Sequence, residues 1–313
     1  MAVHSTIATP ALQAQRPSVW SRIWQNDAPG YLFLLPRFIG FFGLTIGPMI
    51  TSFYLSFTNF DLLQAPQWVG ANNYIRMFTA DPKFSASMRV TLFFVVFSVP
   101  LKLAFASAVA LLLNRGIKGL PMYRALFYLP SLLGASVAIA ILWRQIFAGD
   151  GLVNKLLAMF GIIGPSWISN PNYSLWTLII LSIWQFGSPM IIFLAGLRQI
   201  PQDMYEAASL DGASKWRQFV KITLPLLTPV VFFNAIIQTI EAFKSFTPAF
   251  IISGGTGNPI NSTLFYTLYL YREAFGFFRM GYASALARVL LALVGLFTAF
   301  SFLTSKYWVH YDD

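Results

Sequence analysis

The chain has 313 residues, 57% of them hydrophobic and only 10% charged, with a mean hydropathy of +0.63 and a formal net charge of +10. A soluble globular chain carries roughly 25% charged residues, so this composition describes a membrane protein. Cysteine is absent and the two histidines stand at opposite ends, at positions 4 and 310, which excludes disulfides, thiolate catalysis and a Cys- or His-built metal site.

In chain order, residues 1–30 are polar and lack the apolar core of a cleavable signal, which predicts a cytoplasmic tail with a short interfacial helix around Trp20 to Trp24. Six apolar runs follow, at about 31–57, 90–113, 123–147, 174–197, 226–252 and 284–304. Each approaches or exceeds the roughly 20 residues that a bilayer core requires, and their internal prolines and glycines are tolerable where neighbouring helices compensate. The expected fold is all-α, a transmembrane domain over 31–313 with six transmembrane helices. Between the first two spans, a polar loop predicts a small amphipathic helix around Asn72 to Thr79. Another short helix is expected near Leu152 to Phe160, and an aromatic amphipathic run covers Leu264 to Phe278.

Lysine and arginine set the orientation. Ten (Arg16, Arg22, Arg115, Lys118, Arg124, Arg198, Lys215, Arg217, Lys221, Lys306) lie on the side of the termini and the 198–225 loop, against six (Arg76, Lys83, Arg89, Lys155, Arg272, Arg279) on the other. Both termini and that loop are therefore expected in the cytoplasm. The basic residues are scattered through loops and form no single face, so nucleic acid is not an expected partner.

The loop from Pro201 to Pro225 is polar between two greasy spans. Pro201 suits a first helical position, and Asp203 and Glu206 place negative charge at the positive end of that helix. Gly212 supplies a residue able to take positive φ, which predicts a turn into a second short helix carrying Lys215, Arg217 and Lys221. Ala207 and Ala208 would let another surface approach closely, with Met204, Tyr205 and Leu210 as apolar anchors. The bland alternative is an amphipathic loop lying on lipid headgroups.

Within the spans, Asn234, Gln238, Glu241 and Ser245 share one helical face. An acid inside a bilayer costs about 2.5 to 3.5 kcal/mol on insertion scales, and such groups face a cavity or a partner. Trp184, Gln185 and Ser188 in the fourth span offer an indole face and an amide, which suit a sugar ring and its hydroxyls. The structural alternatives are a Glu241–Lys244 ion pair, interhelical glue from Asn234 and Gln238, and a core tryptophan. Snorkelling or interhelical contacts account equally for Lys102, Arg144 and Arg288. No phosphate-cradling G-x-x-x-x-G-K-[ST], G-x-S-x-G or H-E-x-x-H motif occurs, so the chain is not expected to be an enzyme or to bind ATP or a metal itself.

Glu206-Ala207-Ala208, three residues, Gly212, nine residues and Ile222-Thr223-Leu224-Pro225 together resemble the EAA loop of permease subunits of ATP-binding-cassette (ABC) importers. Leu194-Ala195-Gly196-Leu197, Tyr205, Asp211-Gly212-Ala213, Leu129-Pro130 and Gly281-Tyr282-Ala283-Ser284-Ala285 are similar to the carbohydrate-uptake branch, and the overall similarity is to alginate oligosaccharide importers. The resemblance implies a type I importer fold in the bacterial inner membrane. It also implies a second permease, two ATPases that bind ATP and magnesium, and a periplasmic or tethered solute-binding protein delivering a saccharide. By the same resemblance, the EAA loop, with Tyr205, Glu206, Ala207, Ala208, Asp211 and Gly212, docks on an ATPase, and Gln185, Ser188, Gln238, Glu241 and Ser245 lie along the sugar path. One departure is Gly254-Gly255-Thr256-Gly257-Asn258-Pro259, where relatives have a shorter Gly-Gly-Pro. An ion-coupled secondary transporter and a non-transporting scaffold are the alternatives, though no inverted halves are visible.

Overall fold

A computed structural model describes residues 28–310 apart from positions 117 and 135. The tail at 1–27, with its interfacial helix expected at Trp20 to Trp24, lies outside the described residues. The chain divides into two compact units, to Tyr54 and from Leu55. The first contains α1 (Ala28–Gly40), a π-helical turn (Phe41–Ile46) and α2 (Gly47–Leu55). These form one apolar run, Gly30–Leu55, long enough to cross a membrane.

The second unit opens with a two-residue hairpin, Thr58–Asn59 antiparallel to Gln67–Trp68, and α3 (Asn72–Thr79). Next comes the longest helix, α4 (Pro82–Leu113). It starts eight residues ahead of the predicted span because Asp81-Pro82 is a strong start signal. Asp81 Oδ1 accepts the N–H groups of Lys83 (2.9 Å) and Phe84 (3.2 Å), and proline fills the first helical position, where its missing N–H has no partner anyway. The helix also continues through Pro100.

The remaining helices are α5 (Leu120–Leu133), α6 (Val137–Ile146), α7 (Leu152–Met159), α8 (Pro171–Trp184), α9 (Gly187–Gln199), α10 (Gln202–Leu210), α11 (Lys215–Gln218), α12 (Leu224–Phe243), α13 (Thr247–Ile252), α14 (Tyr266–Tyr271) and α15 (Met280–Ser305). Among the described residues, four helices or joined runs are long and apolar enough to span a bilayer: Gly30–Leu55, Pro82–Leu113, Lys215–Ile252 and Met280–Ser305. Two bent pairs, α5 with α6 and α8 with α9, raise the number to six if each is one span.

The core is built around α4, which packs against α8, α9, α12 and α14. Phe94, Ile179, Leu181, Met190, Phe193, Leu227, Tyr266 and Leu286 are among its buried residues. Glycine permits the closest approach: a Cβ on Gly187 would stand 2.2 Å from the Phe127 carbonyl oxygen, so α9 can lie on α5 only with no side chain there.

Candidate functional site

Two features stand out, one in the middle of the helices and one at an end. The first is a cavity of about 230 Å³ whose lining includes Gln185, Gln238, Glu241 and Ser245, four of the seven residues expected on a substrate path. Lys102, Ser182, Lys244 and Thr247 complete its polar wall, against Phe94, Val99, Leu178, Leu181 and Phe246.

The local fold explains how Gln185 reaches the cavity. The fourth span breaks between Trp184 and Gly187 with a 42° bend. Ser131 Oγ donates to the Gln185 carbonyl (2.9 Å) and accepts from the Ser188 N–H (2.9 Å), satisfying two of the backbone groups at the break. The Gln185 amide donates to the Gly134 carbonyl (3.2 Å), and a Cβ on Gly134 would sit 2.2 Å from that side chain. Gln238 and Glu241 come from the last turns of α12, and Ser245 from the three-residue break, Lys244–Phe246, that separates α12 from α13. The span expected over 226–252 lies within the single run Lys215–Ile252, and the break is a local feature inside it. Ser245, within the break, and Thr247, just after it, both line the cavity.

The other three expected residues lie elsewhere. Trp184 packs its ring 5.9 Å from Trp143, whose indole donates to the Thr177 carbonyl (3.0 Å). Ser188 is engaged through its backbone with Ser131. Asn234 is fully buried and donates to the Val230 carbonyl one turn earlier (3.1 Å). Sequence reasoning set Lys102 aside; the structure puts it on the cavity wall, with no ion-pair partner among the described residues. The available signal was a single ammonium deep in an apolar run. Glu241 and Lys244 do pair (2.9 Å), yet both remain more than half exposed, so the pair also faces the cavity.

The second feature is the loop at 202–218. Its helix begins at Gln202, one residue later than expected, with Pro201 as the extended residue before it. Gly212 adopts φ +74°, the Gly212 N–H donates to the Ser209 carbonyl (3.1 Å), and the Ala213 N–H donates to the Ala208 carbonyl (2.9 Å). This is a Schellman cap, and it gives the Glu-Ala-Ala-x-x-x-Gly spacing a physical reason: the last alanine supplies the carbonyl that accepts the closing bond, and the glycine four residues on takes the left-handed position that the cap requires. Ser214 Oγ then accepts the Arg217 N–H and starts α11. Gln218, only 4% exposed, ties the two helices together by donating to Ser209 Oγ (2.9 Å) and the Ala213 carbonyl (3.2 Å). Tyr205 Oη bonds Thr223 Oγ1 (2.8 Å). Glu206, Ala207, Asp211, Leu210 and Trp216 are left exposed, the last two at 90% and 73%.

At the opposite end, Asp81 is a junction. Its Oδ2 accepts hydrogen bonds from Tyr269 and Tyr282, and the Arg76 guanidinium lies 4.8 Å over the Tyr282 ring. Burial pushes the Asp81 carboxyl up, but the bonds from Tyr269, Tyr282 and the N–H groups of Phe84 and Lys83 outweigh it and hold it below the usual value. Burial and the bond to Asp81 push the Tyr269 hydroxyl up.

Apolar helices surrounding a polar cavity, with an exposed two-helix loop at one end, describe an integral membrane transport subunit. The chain belongs to the binding-protein-dependent transport system inner membrane component family, whose pattern matches residues 119–305, and is a permease subunit of the ABC importer class. It is 54% identical over 292 residues to the probable ABC transporter permease protein YesP of Bacillus subtilis, covering 93% of this chain and 94% of that one. It is 32% identical over 286 residues to the lactose transport system permease protein LacF of Rhizobium radiobacter, covering 90% and 95%. In fold it matches a chain of a bacterial alginate ABC transporter solved with an alginate pentasaccharide-bound periplasmic protein, with TM-score 0.80 and 21% identity over 93% of this chain and 98% of that one. A second structure of a bacterial ABC transporter for alginate import gives TM-score 0.76 at 23% identity, covering 93% and 99%.

Proposed function

We propose that residues 31–313 form one half of the path by which a saccharide or oligosaccharide, delivered by a periplasmic or tethered solute-binding protein, crosses the inner membrane. A second permease forms the other half, and two ATPases binding ATP and magnesium drive the cycle. The observation that carries the reading is the central cavity, where Gln185, Gln238, Glu241 and Ser245 converge among apolar helices. Amides, a hydroxyl and a carboxylate are partners for sugar hydroxyls, and their cost in a bilayer is offset when they line a water-filled path. The names of the relatives, which include a lactose permease, support a sugar, and the alginate importers that share the fold make an acidic oligosaccharide a reasonable first substrate to try.

Coupling runs through Tyr205, Glu206, Ala207, Ala208, Asp211 and Gly212 in the 198–225 loop. That loop and both termini, including the 1–30 tail, face the cytoplasm in this reading. The capped, cross-braced geometry supports it, because a surface held by Gln218 and the Tyr205–Thr223 bond can transmit a push without deforming. Alternating access then exposes the cavity to each side in turn. The test is to purify the chain with its co-expressed partners. ATPase turnover should rise with sugar-loaded binding protein, and Glu206→Lys should abolish that rise while leaving membrane insertion intact. Unaltered stimulation in this variant would overturn the loop's role.

A further inference from the structure

A second cavity, of about 610 Å³, opens where α6 ends, lined by residues 147–149, 166, 168–169, 252–254 and 258–260. Connectivity sets it at the end of the helices opposite α10 and α11, since the α8–α9 span leads from this end to that loop and α12 leads back. Arg144 is the charged side chain in its wall, and it forms no ion pair among the described residues. Ser166, Ser169, Ser253 and Asn258 line the same cavity, and Phe147 supplies an apolar ring.

We propose that this cavity is a second saccharide site, taking a sugar unit that carries a carboxylate. The proposal rests on the translocation reading above and adds a place and a charge to it. A planar guanidinium with no acidic partner matches a carboxylate through two parallel N–H···O bonds. The serine hydroxyls and the Asn258 amide in the same wall match sugar hydroxyls. The short helix α13 joins the two sites: Thr247 and Pro248 at its start line the central cavity, and Ile252 and Ser253 at its end line this one. At 1.5 Å per residue they are about 9 Å apart along the helix, a distance that a short oligosaccharide bridges.

The natural absence of cysteine gives a clean experiment. Ser169→Cys reports this cavity and Ser245→Cys the central one, each in the complete importer reconstituted in vesicles and labelled with a membrane-impermeant methanethiosulfonate. The parent assembly serves as background. A uronic acid trisaccharide should slow labelling of the Ser169→Cys chain, maltotriose at the same concentration should not, and adding Arg144→Gln should raise the protecting concentration about tenfold or more. Protection in the Ser245→Cys chain alone overturns the second site and leaves the central path standing, whereas protection in neither overturns both. Equal protection of the Ser169→Cys chain by both sugars overturns the carboxylate assignment. A Ser169→Cys chain that never labels means that a protein segment fills the cavity, which also overturns the site.

Discussion

Asp81 does two jobs with one carboxylate: it caps the longest helix and receives two tyrosine hydroxyls from elements about 190 residues away in sequence. Asp81→Ala removes the cap and leaves both hydroxyls short of a partner, so it should cost roughly 2 to 5 kcal/mol, read as a lowered unfolding midpoint in detergent. Asp81→Asn keeps a good cap and should cost less. Because the folded Asp81 carboxyl titrates below its ordinary value of 3.8, its contribution is complete above that pH and is lost as pH falls further. Tyr269 titrates above its ordinary value of 10, so its contribution is complete below pH 10 and is lost as pH rises beyond. The expected outcome is a loss of stability on acidification in wild type that is reduced in Asp81→Asn. Glu241→Gln tests the cavity: its pair with Lys244 is exposed, so stability should change by less than about 1 kcal/mol while the half-saturation of uptake shifts. At this scale the sequence was half legible. A shared helical face found Gln238 and Glu241, but the same periodicity included Asn234, which the structure buries against its own helix. The Asp81 junction left no trace, since nothing local links residue 81 to 269 and 282.

Individual helices were more legible than their junctions. Asn72–Thr79 forms a helix where its amphipathic pattern predicts one, Leu152–Met159 forms the short helix expected near Leu152 to Phe160, and Gly212 turns the chain with the positive φ assigned to it. The breaks at Gln185–Phe186 and Lys244–Phe246 depend on tertiary partners, Ser131 in the first case and the bond from Thr267 Oγ1 to the Ser245 carbonyl in the second. Hydropathy alone cannot register such partners. Gly212 gives the sharpest test of the loop as an element. A Cβ there would meet nothing within 4 Å, so Gly212→Val acts only through its backbone, with a left-handed penalty of about 1 to 2 kcal/mol or more for a branched residue. The expected result is a chain that inserts and assembles normally but loses most ATPase stimulation, because α10 and α11 no longer meet at the same angle.

For the chain as a whole, much of the apolar surface is uncovered: only 6% of the apolar window in Met280–Ser305 and 28% of that in Pro82–Leu113 are buried within it. Lipid covers such surface in a bilayer, and in the proposed assembly a second permease covers the part beside the cavity. The exposed Glu241–Lys244 pair marks where the central cavity is open in this chain alone. Co-assembly with a second permease should slow labelling of a Lys244→Cys chain by a charged thiol reagent; identical rates with and without that partner would mean the cavity opens elsewhere. Composition and six apolar runs revealed the membrane class directly, whereas the cavity needed the fold, because Lys102 and Gln185 come from different helices. The run from Lys215 to Phe243 also has a mechanical consequence. It is helical throughout, through a π-helical turn at Phe219–Thr223, and carries Gln218 in the end loop and Gln238 in the cavity wall. At 1.5 Å per residue these stand about 30 Å apart on one strut. A few degrees of tilt about its foot therefore displaces the cavity-lining end by roughly 1 to 2 Å, a lever arm written into the length of one helix.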